Sequence, residues 1–270
     1  MIRSESSQNL DVVHQKNPSS ASTSPPEQAN LATWLVSVRD VSELQQAVLF
    51  DVNIIDLKEP SDKPSNGPLA PVAPSIWRSA VDSISKLSRK VLLSAALGEW
   101  QQAVVIAKEV PRQFTFAKVG PSECRSTDDL VKMWRQTQAQ LDDVELVAVA
   151  YADAIQCPDA MSVLTTAAEF GLKRILIDTY EKDGGNSVDI LGLDQLAQLA
   201  ATARSLGIWW TLAGSVTSDH IHLMQQNGIY PNCYGVRGDI CDSTRTGCLS
   251  KQRMQVWSDT LKNCQRSQRS

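Results

Sequence analysis

The sequence predicts one closed (β/α)8 TIM barrel of the α/β class, and three observations lead there. Short apolar runs alternate with longer amphipathic segments along most of the chain. Eight such units fall within about 235 residues, the count and length that a closed barrel requires. No GxGxxG follows the first apolar run, so the usual mark of an open, doubly wound sheet is missing. Strands separated by helices pair in parallel, because a helix is the ordinary crossover between parallel neighbours.

Taken in order, residues 1–30 come first, with seven serines, an SPP turn and no aromatic side chain. They offer too little apolar surface to offset the entropy of ordering and are expected to be a disordered tail. The barrel, as the catalytic domain, is expected over 31–264. Its strands are WLVSV (34–38), VNIIDL (52–57), VLLSAAL (91–97), TFAKVG (115–120), ELVAVAYA (145–152), RILID (174–178), WWTLAG (209–214) and CYGVRG (233–238). Helical spacing follows each of them, from VSELQQAVLF after the first to KQRMQVWSDTL after the last. Ser126 and Ser218 are placed to cap helix starts, and Gly171, Gly207 and Gly228 to end helices. Residues 265–270 are expected to fray.

Composition narrows the function. With 26 basic against 30 acidic side chains the chain has no electrostatic footprint for nucleic acid, so a small-molecule partner is expected. No apolar run approaches the roughly 18 residues of a membrane span, and no secretory leader is evident. The six cysteines form no CxxC pair, and His220 and His222 lie two apart on a helix, so no metal site and no cofactor is expected. Scattered cysteines fit reduced thiols in the cytoplasm. Oligomeric state is left open, a homo-oligomer included.

In a barrel, chemistry sits where strands end. Those ends collect Ser37, Asp56 and Lys58, Ser94, Lys118, Tyr151 and Asp153, Asp178 with Lys182 beyond it, Gly214 and Ser215, and Arg237 and Gly238. Asp56 and Lys58 stand two apart in NIIDLKEP and so point the same way, with Lys58 able to pair with Asp56 or Glu59. A lysine made neutral by its surroundings attacks a carbonyl and forms a Schiff base, an electron sink that works without a cofactor. Lys118 sits mid-strand, where an unpaired charge is costly. Asp56 and Asp178 can orient lysines or move protons, or simply cap the next loop. Tyr151 and Asp153 could add an acid or base, or pack and cap. YEKDGGNS, 180–187, has the length and polarity of a lid, as would a plain solvent loop. LAGSV and YGVRGD follow the seventh and eighth strands, where barrels commonly hold phosphate, with Arg237 available for a bidentate contact; a tight turn with Arg237 paired to Asp239 is the alternative.

The ordered motifs NIIDLKEP, LLSAALGE, FAKVG, VAVAYADA, ILIDTYEKDG, TLAGSV and YGVRG resemble those of the (5-formylfuran-3-yl)methyl phosphate synthases, the furan-forming enzymes of methanofuran biosynthesis. The resemblance runs from about Trp34 to Leu261. It implies a TIM barrel lyase that condenses two molecules of glyceraldehyde 3-phosphate with loss of phosphate and water. It further implies a Schiff base on Lys58, proton transfer by Lys118, charged site roles for Asp56, Asp178 and Lys182, and phosphate binding by AGS and GVRG. After DLK this chain departs from the family, carrying the longer EPSDKPSNGPLAP where a short glycine-rich loop is usual. The rival expectations are a Schiff-base aldolase for another sugar phosphate and a non-catalytic barrel that binds a phosphorylated metabolite.

Overall fold

The computed structural model describes residues 32–60, 67–181 and 184–267, with side chains described as far as Cys264. The serine-rich leader lies outside them, as do Lys182 and much of the loop after Lys58.

Eight parallel strands close into a barrel in chain order. They are β1 (Thr33–Val38), β2 (Ile54–Leu57), β3 (Leu92–Glu99), β4 (Phe116–Gly120), β5 (Glu145–Tyr151), β6 (Arg174–Asp178), β7 (Trp209–Leu212) and β8 (Cys233–Val236). The seam joins β8 to β1, with Thr33 opposite Cys233 and Val36 opposite Val236. The helices between are α1 (Val41–Ala47), α2 (Pro74–Ile84), α3 (Trp100–Ile106), α4 (Thr127–Gln138), α5 (Ala160–Phe170), α6 (Ser187–Leu206), α7 (Ser218–Gln226) and α8 (Lys251–Ser267).

Both faces of the strands are covered, which is why they read as apolar runs and not as alternating ones. Outward residues such as Val36, Ile55, Leu93 and Ile175 pack against helix residues including Leu44, Trp77, Leu130 and Leu199. Trp34 stacks on Trp257 of α8 with centroids 6.2 Å apart, sealing that flank. Inward residues Leu35, Ile54, Phe116, Val147, Val149 and Leu176 fill the barrel itself. Its floor is closed by Arg174, whose guanidinium lies 4.7 Å from the Phe116 ring and 4.8 Å from the Trp209 ring and pairs with Glu145 at 3.1 Å. Apolar filling below leaves the polar inward residues at the opposite, C-terminal mouth.

Local signals account for the helix ends, with a few differences from expectation. Ser126 caps α4 by accepting from Asp129 N, and left-handed Gly171 and Gly207 end α5 and α6. The cap of α7 is Thr217 and not Ser218; its amide donates to His220 Nδ1 at 3.1 Å. α6 starts six residues before the expected LDQLAQ and kinks at Gly192 (φ 72°), a backbone conformation that hides its first turn from a helical period. α8 continues past Leu261 to Ser267, because Cys264 supplies a further buried position on its inner face.

Candidate active site

Alternation along the strands turns Ser37, Asp56, Ser94, Lys118 and Asp178 toward the axis at the C-terminal mouth. Asp56 is fully buried and is the best-satisfied group there. Its Oδ2 accepts from Ser37 Oγ at 2.9 Å and pairs with Lys118 Nζ at 2.7 Å, and its Oδ1 accepts from Ser94 Oγ at 2.9 Å. Strands β1 to β4 thus converge on one carboxylate. Lys118, with little exposure of its own, is held where its charge is compensated.

Lys58 follows β2 and is buried too, yet it does not pair with its sequence neighbour Asp56. Its Nζ stands 3.8 Å from Asp178 Oδ2 across the mouth, an ion-pair separation longer than a hydrogen bond. The pairing is therefore crossed relative to expectation, Asp56 with Lys118 and Asp178 with Lys58. In a closed barrel the inward side chains reach across the axis, and distance along the chain does not predict partners.

Lys58, Lys118 and Asp178 line one opening together with Gly214, Ser215, Val216, Arg237, Gly238 and Arg245. Gly214 (φ 82°) and Ser215 (φ 56°) both hold left-handed backbone. A Cβ on Gly214 would come within 2.8 Å of Thr179 N, so only glycine fits there. Among the described residues the Ser215 and Val216 amides donate to no protein acceptor. They precede α7 and border the opening, the placement of an anion-binding turn.

Arg237 pairs with Glu43 of α1 and not with Asp239. Its Nη1 donates to Glu43 Oε2 at 2.7 Å and to Ser37 O at 3.0 Å; its Nη2 donates to Glu43 Oε1 at 3.0 Å and to Gly247 O at 3.2 Å; its Nε donates to Arg245 O at 2.6 Å. All five guanidinium N–H groups are thereby engaged. Glu43 also accepts from Arg39 N and Arg39 Nε, each at 2.9 Å. Burial works against the ionised Glu43 carboxyl, but the hydrogen bonds and charge of Arg237, with Arg39, outweigh it and hold the carboxyl below its ordinary range. Asp239 instead accepts from Trp257 Nε1 at 2.7 Å.

On the far side of the mouth, Tyr151 donates to Glu99 Oε1 at 2.6 Å, and Glu99 Oε2 accepts from Ser122 N at 2.9 Å. Burial, followed by the Glu99 charge, pushes the Tyr151 phenol well above its usual range, so it is a donor at any ordinary pH. Asp153 accepts from Tyr180 N and Glu181 N, at 2.6 and 2.8 Å, and so acts as a cap for the loop after β6. Lys182, two residues after Tyr180, lies outside the described residues.

Sequence reasoning passed over Glu43, Glu99 and Arg245. A strand-end search would have found Glu99 had the third strand been carried to its end, but alternation places it on the outer face. The register shift between Ala96 and Glu99, with Gly98 at φ 86°, turns it inward. Glu43 carried a weaker signal, its position three residues after the capping Asp40.

Among the described residues no cluster of His, Cys, Asp and Glu could hold a metal ion, and no helix is long and apolar enough to cross a membrane. The six cysteines are all free thiols.

Fold and site together define a (β/α)8-barrel protein whose C-terminal mouth is built on two crossed lysine–aspartate pairs beside glycine turns. The family model described as 4-HFC-P synthase matches residues 34–258, and the chain belongs to that family. It is 27% identical over 219 residues to the (5-formylfuran-3-yl)methyl phosphate synthase of Methanocaldococcus jannaschii, covering 77% of this chain and 89% of that one. With the protein of the same name from Methanothermobacter thermautotrophicus it shares 26% over 239 residues, 84% and 98% of the two chains. Among solved structures, thiamine phosphate pyrophosphorylase from Pyrococcus furiosus superposes with a TM-score of 0.56 at 11% identity, covering 87% of this chain and 97% of that one. Phosphoribosyl anthranilate isomerase from Thermus thermophilus gives 0.54 at 10%, with 86% and 99% covered. Those two likenesses concern the fold alone.

Proposed function

We propose that this protein is a lyase that joins two molecules of glyceraldehyde 3-phosphate into (5-formylfuran-3-yl)methyl phosphate through a lysine Schiff base, in methanofuran biosynthesis. Family membership supports the product, since the archaeal relatives carry that name. The observation that carries the mechanism is the shared opening, in which Lys58 and Lys118 face the glycine turns after β7 and β8.

In this reading Lys58 adds to the aldehyde of the first triose phosphate, and loss of water gives the iminium. Removal of the proton from the adjacent carbon, assigned to Lys118, gives an enamine whose electron pair attacks the phosphate-bearing carbon of the second triose, and that phosphate leaves as the bond forms. Asp56 holds Lys118 at 2.7 Å, and Asp178 stands beside Lys58 to exchange protons as the imine forms and is hydrolysed. Lys182 is assigned a further proton-transfer role from the loop after β6. Hydrolysis of the imine restores the first aldehyde, the hydroxyl of the second triose closes onto it, and dehydration completes the furan with the second aldehyde as its formyl group; over the whole reaction one phosphate and two waters leave. The substrate phosphate is held by the Gly214–Ser215 turn and the Gly238 turn, with Arg237 framing both. Neither cofactor nor metal is required by this sequence of steps.

Incubation of purified protein with glyceraldehyde 3-phosphate alone tests the reading. A new furan-aldehyde absorbance in the ultraviolet, with one phosphate released per two trioses consumed, is expected. A product without that chromophore would point to an aldolase acting on another sugar phosphate. Thermal protection by the triose phosphate without its consumption would point to a binding barrel.

A further inference from the structure

We infer that Arg245, on the strap between β8 and α8, supplies the cationic contact to the substrate phosphate, while Arg237 serves as the scaffold that aims it. The inference rests on the reading of the opening as a triose phosphate site. It starts from the donor count at Arg237, whose five N–H groups are all taken by Glu43 and by carbonyls of Ser37, Arg245 and Gly247. To bind a phosphate, that buried guanidinium would have to give up a bond to Glu43, leaving the carboxylate to Arg39 alone, or to one of the carbonyls it now satisfies, and either is costly. Lys58 and Lys118 are assigned to the chemistry, which leaves Arg245 as the remaining cation of the lining for the phosphate dianion.

Arg245 is in position. It lines the same opening as Gly214, Ser215 and Gly238 and is half-buried. Gly238 lies beside it, since a Cβ there would be in ordinary contact, 3.7 Å, with the Arg245 Cβ. The strap is tied down at three consecutive carbonyls. Arg245 O accepts from Arg237 Nε, Thr246 O from Arg39 Nη2, and Gly247 O from both Arg39 Nη2 at 2.8 Å and Arg237 Nη2. An antiparallel bridge between Cys241 and Leu249 closes its base. Two arginines anchored on one buried glutamate thus fix the backbone that carries a third arginine at the glycine turns. A phosphate monoester there would receive amide N–H groups from the Ser215 side and a guanidinium fork from the strap.

The test compares wild type with Arg245→Met and Arg245→Lys, and with Lys132→Met as a charge control on the exposed face of α4. Thermal protection by inorganic phosphate is measured first, because it needs no chemistry. Wild type and Lys132→Met should be protected alike, Arg245→Met much less, and Arg245→Lys in between. In turnover of glyceraldehyde 3-phosphate, Arg245→Met should raise KM by about 10- to 100-fold, the range for losing a hydrogen bond to a charged group, and should change kcat much less. Equal phosphate protection and equal KM in wild type and Arg245→Met would overturn the inference. A wild-type protein inert toward the triose phosphate yet protected by phosphate through Arg245 would sink the proposed reaction and leave this contact standing.

Discussion

Replacing Glu43 by glutamine should disable the mouth without touching any lysine. Glu43 is buried on α1, and its two oxygens accept four hydrogen bonds, two from Arg237 and two from Arg39. Removing one partner of a buried ion pair costs about 3–5 kcal/mol. The glutamine oxygen keeps part of the network and carbonyls still receive Arg237, so about 2–4 kcal/mol is expected by the same reasoning. For a domain of this size that lowers Tm by roughly 5–15 °C. The pH dependence gives a second handle. Because the folded-state pKa of Glu43 lies below its unfolded value, its contribution is fully present above about pH 5 and is lost as pH falls through the folded value. The stability gap between wild type and Glu43→Gln should therefore be constant near neutrality and close in acid. Differential scanning calorimetry between pH 3 and pH 7 measures both. A Tm within about 2 °C of wild type at pH 7, or a gap that widens in acid, would refute the argument that Glu43 anchors Arg237 and the strap.

Other perturbations report on separate parts of the site. Lys118→Met strands fully buried Asp56 with only two serine hydroxyls and should cost about 3–5 kcal/mol, measured by urea unfolding. Gly120→Ala drives a methyl into the Glu99–Tyr151 pair and should cost about 1–3 kcal/mol by overpacking, whereas Gly171→Ala, which meets nothing within 4 Å, carries only the strain of its left-handed backbone. Thiol labelling of the native protein at pH 8 should modify exposed Cys248 first. Cys124 and Cys233 should wait for unfolding, since burial pushes their thiols up to about 12 and about 11.

The barrel was legible because two features of its strands are local. Burial on both faces makes each strand a short apolar run, and the inward position at its C-terminal end is where polar residues break the run, as at Asp56, Lys118 and Asp178. Partnership was not legible. Asp56 and Lys58 share a face, yet each pairs with a group from another strand, because closure brings β4 and β6 across the axis toward β2. Glu99 was hidden by a register shift that breaks the period of two. The occupation of Arg237 depends on Glu43, 194 residues away in the chain, a distance no spacing rule spans. Short-range chemistry can be read from a strand end, while the long-range seam between β1 and β8 exists only once the barrel is closed.

The role of Lys58 is tested most directly by chemical trapping. Borohydride added during turnover of glyceraldehyde 3-phosphate reduces an imine to a stable secondary amine, and peptide mass spectrometry locates it. The expected result is a triose-derived mass on the Lys58 peptide in wild type, with neither adduct nor turnover in Lys58→Arg. Normal turnover with Lys58 unmodified, or an adduct confined to Lys118, would contradict the account.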